Sequence, residues 1–161
     1  MNMKADNKKT EFLLRAVENS YKQIVADITD RTELLFQAVE NGDKNAIADI
    51  TDKGVSVNSQ DSLRHTPLFE AVTLGNHDVV RFLIDRWADV NIPEVNGITP
   101  LMEAASCGDI GMVELLLASG ADTDAADDFG DTAYDYAVNQ DFQEVGEMLF
   151  LEMNIREKIA V

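Results

Sequence analysis

The sequence predicts an all-helical solenoid of stacked helix-turn-helix units, joined by short β-hairpin-like connectors. Three observations lead to it. The chain repeats itself every 33 residues: HTPLFEAVTLGNHDVVRFLIDRWADVN, from His65 to Asn91, lies over ITPLMEAASCGDIGMVELLLASGADTD, from Ile98 to Asp124. Each copy opens on a helix-start signal, in which Thr66 or Thr99 offers a capping oxygen and Pro67 or Pro100 suits the first helical turn. Each copy then carries two apolar stripes at helical spacing, and a helix pair of that size buries its stripes only against a neighbouring pair.

Taken in order, residues 1–9 are polar and read as a flexible tail. Residues 10–31 duplicate the adjoining segment: Thr10–Asp30 aligns with Thr32–Asp52 at an offset of 22, with 13 of 21 positions identical. Because 22 is eleven short of 33, this copy has room for two helices and no connector, and is expected to stack on the solenoid's open end as a helical pair. Residues 32–60 form a capping unit, with Ala38 and Gly42 in register with Ala71 and Gly75. Residues 61–93 form a full unit, whose first helix uses Leu68, Ala71 and Val72 and ends at Gly75. Its second helix uses Val79, Val80, Leu83 and Ile84. Residues 94–126 repeat that design, and small Ala71 and Ala104 let successive first helices approach closely. Residues 127–153 form a closing cap, in which Thr132 and Ala137 keep the register and Ala133 and Tyr134 replace Pro and Leu. Residues 154–161 read as a C-terminal tail.

The recurrence of TPL, of an Ala three residues later, of a Gly near the turn and of the endings WADVN and GADTD at this spacing resembles the ankyrin repeat family. The match is close over residues 61–126. Three departures stand out. The family's usual His after TPL is replaced by Phe69, Met102 and Asp135, so the hydrogen bond it makes must be lost or rebuilt. Arg64 takes a turn position held by Gly97 and Gly130 in the later units. Trp87 stands where Gly54 and Gly120 stand, and a positive φ there would cost about 1–2 kcal/mol. Either the indole packs over the adjacent helix end and offsets that strain, or it is exposed as an anchor for a partner.

Composition narrows the function. The 161 residues hold 13 Lys and Arg against 30 Asp and Glu, a net charge of −17, which fits one acidic domain large enough to bury its own core. The charge is uneven. Residues 1–31 carry six bases and five acids, +1, which leaves −18 for the rest, and from Trp87 to Ile155 there are 15 acids and no Lys or Arg. Nucleic acid and anionic membranes are excluded as partners, since both are bound through basic faces. The single Cys107 rules out a disulfide framework, and no signal-like or spanning apolar stretch is present, so a cytoplasmic address is expected; a monomer is expected besides. Phosphate-binding, zinc-protease, nucleophile-elbow and dinucleotide motifs are absent, so no catalysis, cofactor or metal is expected. His77 reads as a helix cap or a solvated residue. A Cys107–His65 dyad is conceivable, but a lone Cys more often serves as a small apolar side chain. The acids Asp122, Asp124, Asp127, Asp128 and Asp131 do not follow the calcium-loop order and read as turn residues.

What remains is recognition of a protein. The resemblance implies a concave surface built from the connector tips and the first helices. It takes in Ser62, Leu63, His65, Thr73 and Leu74 from one unit, and Val95, Asn96, Ile98, Ser106 and Cys107 from the next. The last unit contributes Asp128, Phe129, Asp131, Asn139 and Gln140, the first cap contributes Glu40 and Asn41, and Trp87 is a further candidate. Leu63, Val95, Ile98 and Phe129 are apolar where water is expected. Two readings are open: an acidic face that selects a basic protein, as an inhibitor or immunity-type protein would, or a structural or regulatory subunit held by its apolar tips.

Overall fold

The computed structural model describes the backbone of residues 3–159, and the side chains of residues 13–155 apart from Val25. Among the described residues the regular structure is helical: α1 (Met3–Glu40), α2 (Lys44–Asp52), α3 (Pro67–Thr73), α4 (His77–Asp85), α5 (Pro100–Ser106), α6 (Ile110–Ala118), α7 (Ala133–Asn139) and α8 (Gln143–Ile159). The pairs α1–α2, α3–α4, α5–α6 and α7–α8 are antiparallel neighbours. The first helices stack as a row α1–α3–α5–α7, and α4, α6 and α8 form a second row behind it. One continuous apolar core runs between the rows, from Leu35, Val39 and Ile47 through Leu68, Leu83, Leu101 and Leu116 to Val145 and Leu149.

The capping chemistry repeats with the sequence. Thr66, Thr99 and Thr132 accept from the backbone N–H of Phe69, Met102 and Asp135, which starts α3, α5 and α7. Asp43, Asn76 and Asp109 cap α2, α4 and α6 in the same way. Between the helices of each pair the chain turns through a positive φ, at Gly42, Gly75, Gly108 and, in the last unit, Asp141. Ala71 and Ala104 are fully buried or nearly so, consistent with close packing of successive first helices.

Two expectations need correction. Residues 10–31 are not a helical pair; they continue α1 as a single helix of 38 residues. The physical reason lies in the duplication itself. Where the second copy has Gly42 (φ 67°) and the cap Asp43, the first has Ser20 and Tyr21, and where the second has Gly54, the first has Thr32. The residues that end and restart a helix were not retained. The tails are also shorter than expected, since α1 takes in residues 3–9 and α8 takes in residues 154–159. Residues 1, 2, 160 and 161 of those tails lie outside the described residues. The connectors are tight turns, with an isolated bridge between Ala126 and Thr132 instead of strands among the described residues.

Candidate functional site

Each tip is built by one acidic side chain. Asp61 accepts from the N–H of Leu63 and His65, at 2.8 Å each. Glu94, one period later, accepts from Asn96 at 2.7 Å and Ile98 at 3.3 Å, and Asp127, a further period on, accepts from Phe129 and Asp131 at 2.9 Å. A backbone bond closes each turn, and the residue at its end adopts positive φ: Arg64 at 63°, Gly97 at 85° and Gly130 at 90°. Arg64 therefore keeps the geometry that its neighbours achieve with glycine. Successive tips are joined directly, the N–H of Val95 donating to the Leu63 carbonyl and that of Asp128 to the Asn96 carbonyl, each at 3.0 Å. The tips thus form one ridge. Gly97 is needed at its place for a second reason: a Cβ there would meet the Asp127 Cα at 3.1 Å.

Asp127 also accepts from the Tyr136 hydroxyl at 2.8 Å. Burial alone would raise the Asp127 carboxyl, but the backbone bond from Asp131, the Tyr136 hydroxyl and the Phe129 N–H overcome it and hold it below the usual range. The Tyr136 phenol is pushed up to about 12, first by burial and then by its bond to the Asp127 carboxylate. The acids of this region are thus turn builders, and among the described residues no group of three or more His, Cys, Asp or Glu side chains could hold a metal ion.

Of the sequence-derived set, Ser62, Leu63, Val95, Asn96, Asp128, Phe129 and Asp131 are exposed on the ridge, Phe129 by 86%. Thr73, Leu74, Cys107, Asn139 and Gln140 are exposed at the far ends of α3, α5 and α7, with Ser106 half-buried beside them, and Glu40 and Asn41 are exposed at the end of α1. Ile98 is a correction: it is half-buried and packs on the core, so it offers little to a partner. Leu74 joins Leu63, Val95 and Phe129 as an exposed apolar group. His65 is half-buried, stacked on Phe69 at 5.0 Å between centroids and 3.3 Å from Asp61, whereas Cys107 neighbours Ser106; no dyad forms between them. His77 does not cap α4, a role Asn76 takes. Its Nε2 instead donates to Asp109 across to the next unit, at 2.7 Å. The position after TPL is rebuilt three ways: Phe69 and Met102 are buried, and the Asp135 carboxylate accepts from the Thr132 N–H and hydroxyl.

Trp87 lies elsewhere, after α4. Its φ is 67° and its side chain is 89% exposed, so the indole does not pack down to offset the strain. It borders a shallow depression with Asp52, Val55, Val57, Asp85 and Arg86. Arg86 itself donates to Asp52 at 3.0 Å and lies over the Phe82 ring.

Sequence reasoning missed a groove between α1 and α3. Glu33, Glu40, Asp61 and Glu70 line it together with Ile28, Phe36 and Ser62, and no Lys or Arg lines it among the described residues. Burial raises the Glu70 carboxyl, and the nearby Glu40 carboxylate raises it further. The available signal was the Glu of TPLFEA and TPLMEA, which puts Glu70 and Glu103 at equivalent places on successive first helices.

No helix among the described residues is long and apolar enough to cross a membrane. A family model described as ankyrin repeats matches the chain in three copies, over residues 1–94, 35–127 and 86–159. No curated protein matches it.

Proposed function

The chain belongs to the ankyrin repeat family, whose repeats are generally non-catalytic protein–protein interaction modules, and from that premise we propose that it binds a basic protein through its tip ridge and first-helix face. The observation that carries this reading is the groove of Glu33, Glu40, Asp61 and Glu70, where four carboxylates face a common space without a basic side chain among its lining residues. Carboxylates crowded in this way gain from an incoming Lys or Arg, and the gain is larger where Glu70 is already partly withdrawn from water. The groove opens beside Ser62 and the ridge that runs through Leu63, Val95 and Phe129, so a basic segment seated in it lies next to apolar tips.

The proposed contact set is the ridge residues Ser62, Leu63, His65, Val95, Asn96, Asp128, Phe129 and Asp131, the helix-end residues Thr73, Leu74, Ser106, Cys107, Asn139 and Gln140, and Glu40 with Asn41. Trp87 serves as a separate anchor. One partner per chain, in the cytoplasm, is the simplest arrangement. An inhibitor or immunity-type role suits it best, because a predominantly acidic face covers the basic surface with which a target would bind phosphate groups.

The test is capture of partners from lysate, eluted by a salt gradient and compared with a Glu40→Gln, Glu70→Gln variant. A dominant basic protein released at moderate salt by the parent chain, and at lower salt or not captured by the variant, is the expected result. Capture that is indifferent to both salt and the substitutions overturns it. The 86% exposure of Phe129 supports a second reading, in which the apolar tips seat the chain as a structural or regulatory subunit of an assembly. Binding that survives high salt but is lost on Leu63→Ser with Phe129→Ser would favour that reading.

A further inference from the structure

The N-terminal part of α1 extends beyond the solenoid, and its side chains form a pattern that the partner-binding surface does not use. Leu14, Val17, Tyr21, Ile24 and Ile28 succeed one another at alternating steps of three and four residues, the spacing of a coiled-coil seam. Together with Leu13 they are 55–69% exposed. A lone helix with such a stripe is poorly stabilised, because most helical stability in water comes from packing its apolar face. The duplication shows what these residue types do when a neighbour is present: Leu35 and Val39, the counterparts of Leu13 and Val17, are fully buried against other helices.

We propose that this stripe pairs with the same stripe of a second copy of the chain, the two α1 helices running antiparallel. Size is of the right order: covering the six side chains completely would remove at most on the order of 700 Å² per chain, against the roughly 800 Å² per partner of a standard interface. Charge sets the direction. Residues 1–31 carry a net +1 and the rest of the chain −18. A parallel pair would set two strongly acidic solenoids side by side, whereas an antiparallel pair sends them to opposite ends and lays each near-neutral helix toward the partner's acidic body. Tyr21 and Ile24 lie at the middle of the seam, and its base at Ile28 reaches the carboxylate groove. The sequence-level expectation of a monomer gives way to a dimer with two outward binding faces, and this inference holds whether or not the partner is basic.

The experiment is light scattering with sedimentation on the full chain, alongside a Tyr21→Gln, Ile24→Gln variant. Both positions are solvent-exposed in the single chain and Gln keeps the helix propensity, so the solenoid of the variant should melt as before. The expected mass is about twice 17.8 kDa for the parent chain and 17.8 kDa for the variant. Orientation is read from spin labels at Asp30→Cys in a Cys107→Ser background. At 1.5 Å per residue the antiparallel pair holds the labels more than about 20 Å apart, while a parallel pair brings them to roughly 10 Å. A parent chain that stays monomeric at high micromolar concentration overturns the proposal, as does a variant that stays dimeric. A monomer whose variant melts earlier overturns it too, because the stripe would then be packed on its own solenoid. Short label distances overturn the antiparallel arrangement.

Discussion

Trp87 combines two features that would each be unusual alone, a left-handed backbone and an almost wholly exposed indole. The strain, about 1–2 kcal/mol for a residue with a Cβ, is not offset by packing. Glycine at this position, as in the units before and after, removes it at some loss of backbone entropy. Trp87→Gly is therefore expected to raise stability in urea by about 0.5–1 kcal/mol, and to weaken partner capture if the indole is an anchor. A variant that is less stable than the parent would show a stabilising contact for the indole. Tyr136 gives a test at the same scale. Its phenol, raised to about 12 from 10, stays protonated in the fold at pH values where the unfolded chain has released the proton. The Tyr136–Asp127 bond thus contributes fully below pH 10, and its contribution is lost as pH rises through about 12. Ultraviolet titration of the three tyrosines should show one of them ionising last, and Asp127→Asn should bring that step down toward the others. An unchanged titration would mean that burial alone sets it.

At the scale of elements, α1 shows how few residues decide between one helix and two. The copies share 13 of 21 positions, yet only the copy with Asn41, Gly42 and Asp43 turns back on itself. Restoring that signal with Ser20→Gly and Tyr21→Asp should break α1 near residue 20, and backbone chemical shifts at residues 19–21 should leave helical values. Shifts that remain helical would mean that propensity on both sides outweighs the turn. The same comparison explains what was legible in the sequence. The starts of α3, α5 and α7, the turns at Gly75 and Gly108 and the apolar faces arise from local chemistry, and the 33-residue period carries them from unit to unit. The expected N-terminal pair is one helix because the loss of a glycine and a cap outweighs identity at 13 positions. At the site, exposure of Leu63, Val95 and Phe129 comes from tip position, but Ile98, next to the helix start, is half-buried against the core, where Asp131 at the equivalent place is charged and stays in water. The carboxylate groove draws residues from two units and from α1, and no single stretch of sequence displays it.

For the whole molecule, a net charge of −17 on 161 residues works against compactness, since like charges repel across the surface. Added salt should therefore raise the urea midpoint of the free chain, because screening shortens to about 8 Å at physiological ionic strength. The same salt should weaken capture of a basic partner, so stability and affinity move in opposite directions along one titration. A midpoint that does not respond to salt would mean that repulsion among the acids contributes little to the stability of the fold. The arrangement of charge has one more consequence. Along the chain from α5 to Ile155 of α8 there is neither lysine nor arginine. Trypsin can therefore cut nowhere between Arg86 and Arg156, and a digest leaves the later units as a single long peptide. Acetyl, methyl or ubiquitin groups directed to lysine are confined to the first half of the chain and to Lys158, which leaves residues 87–155, the Phe129 tip among them, without an attachment point for such marks.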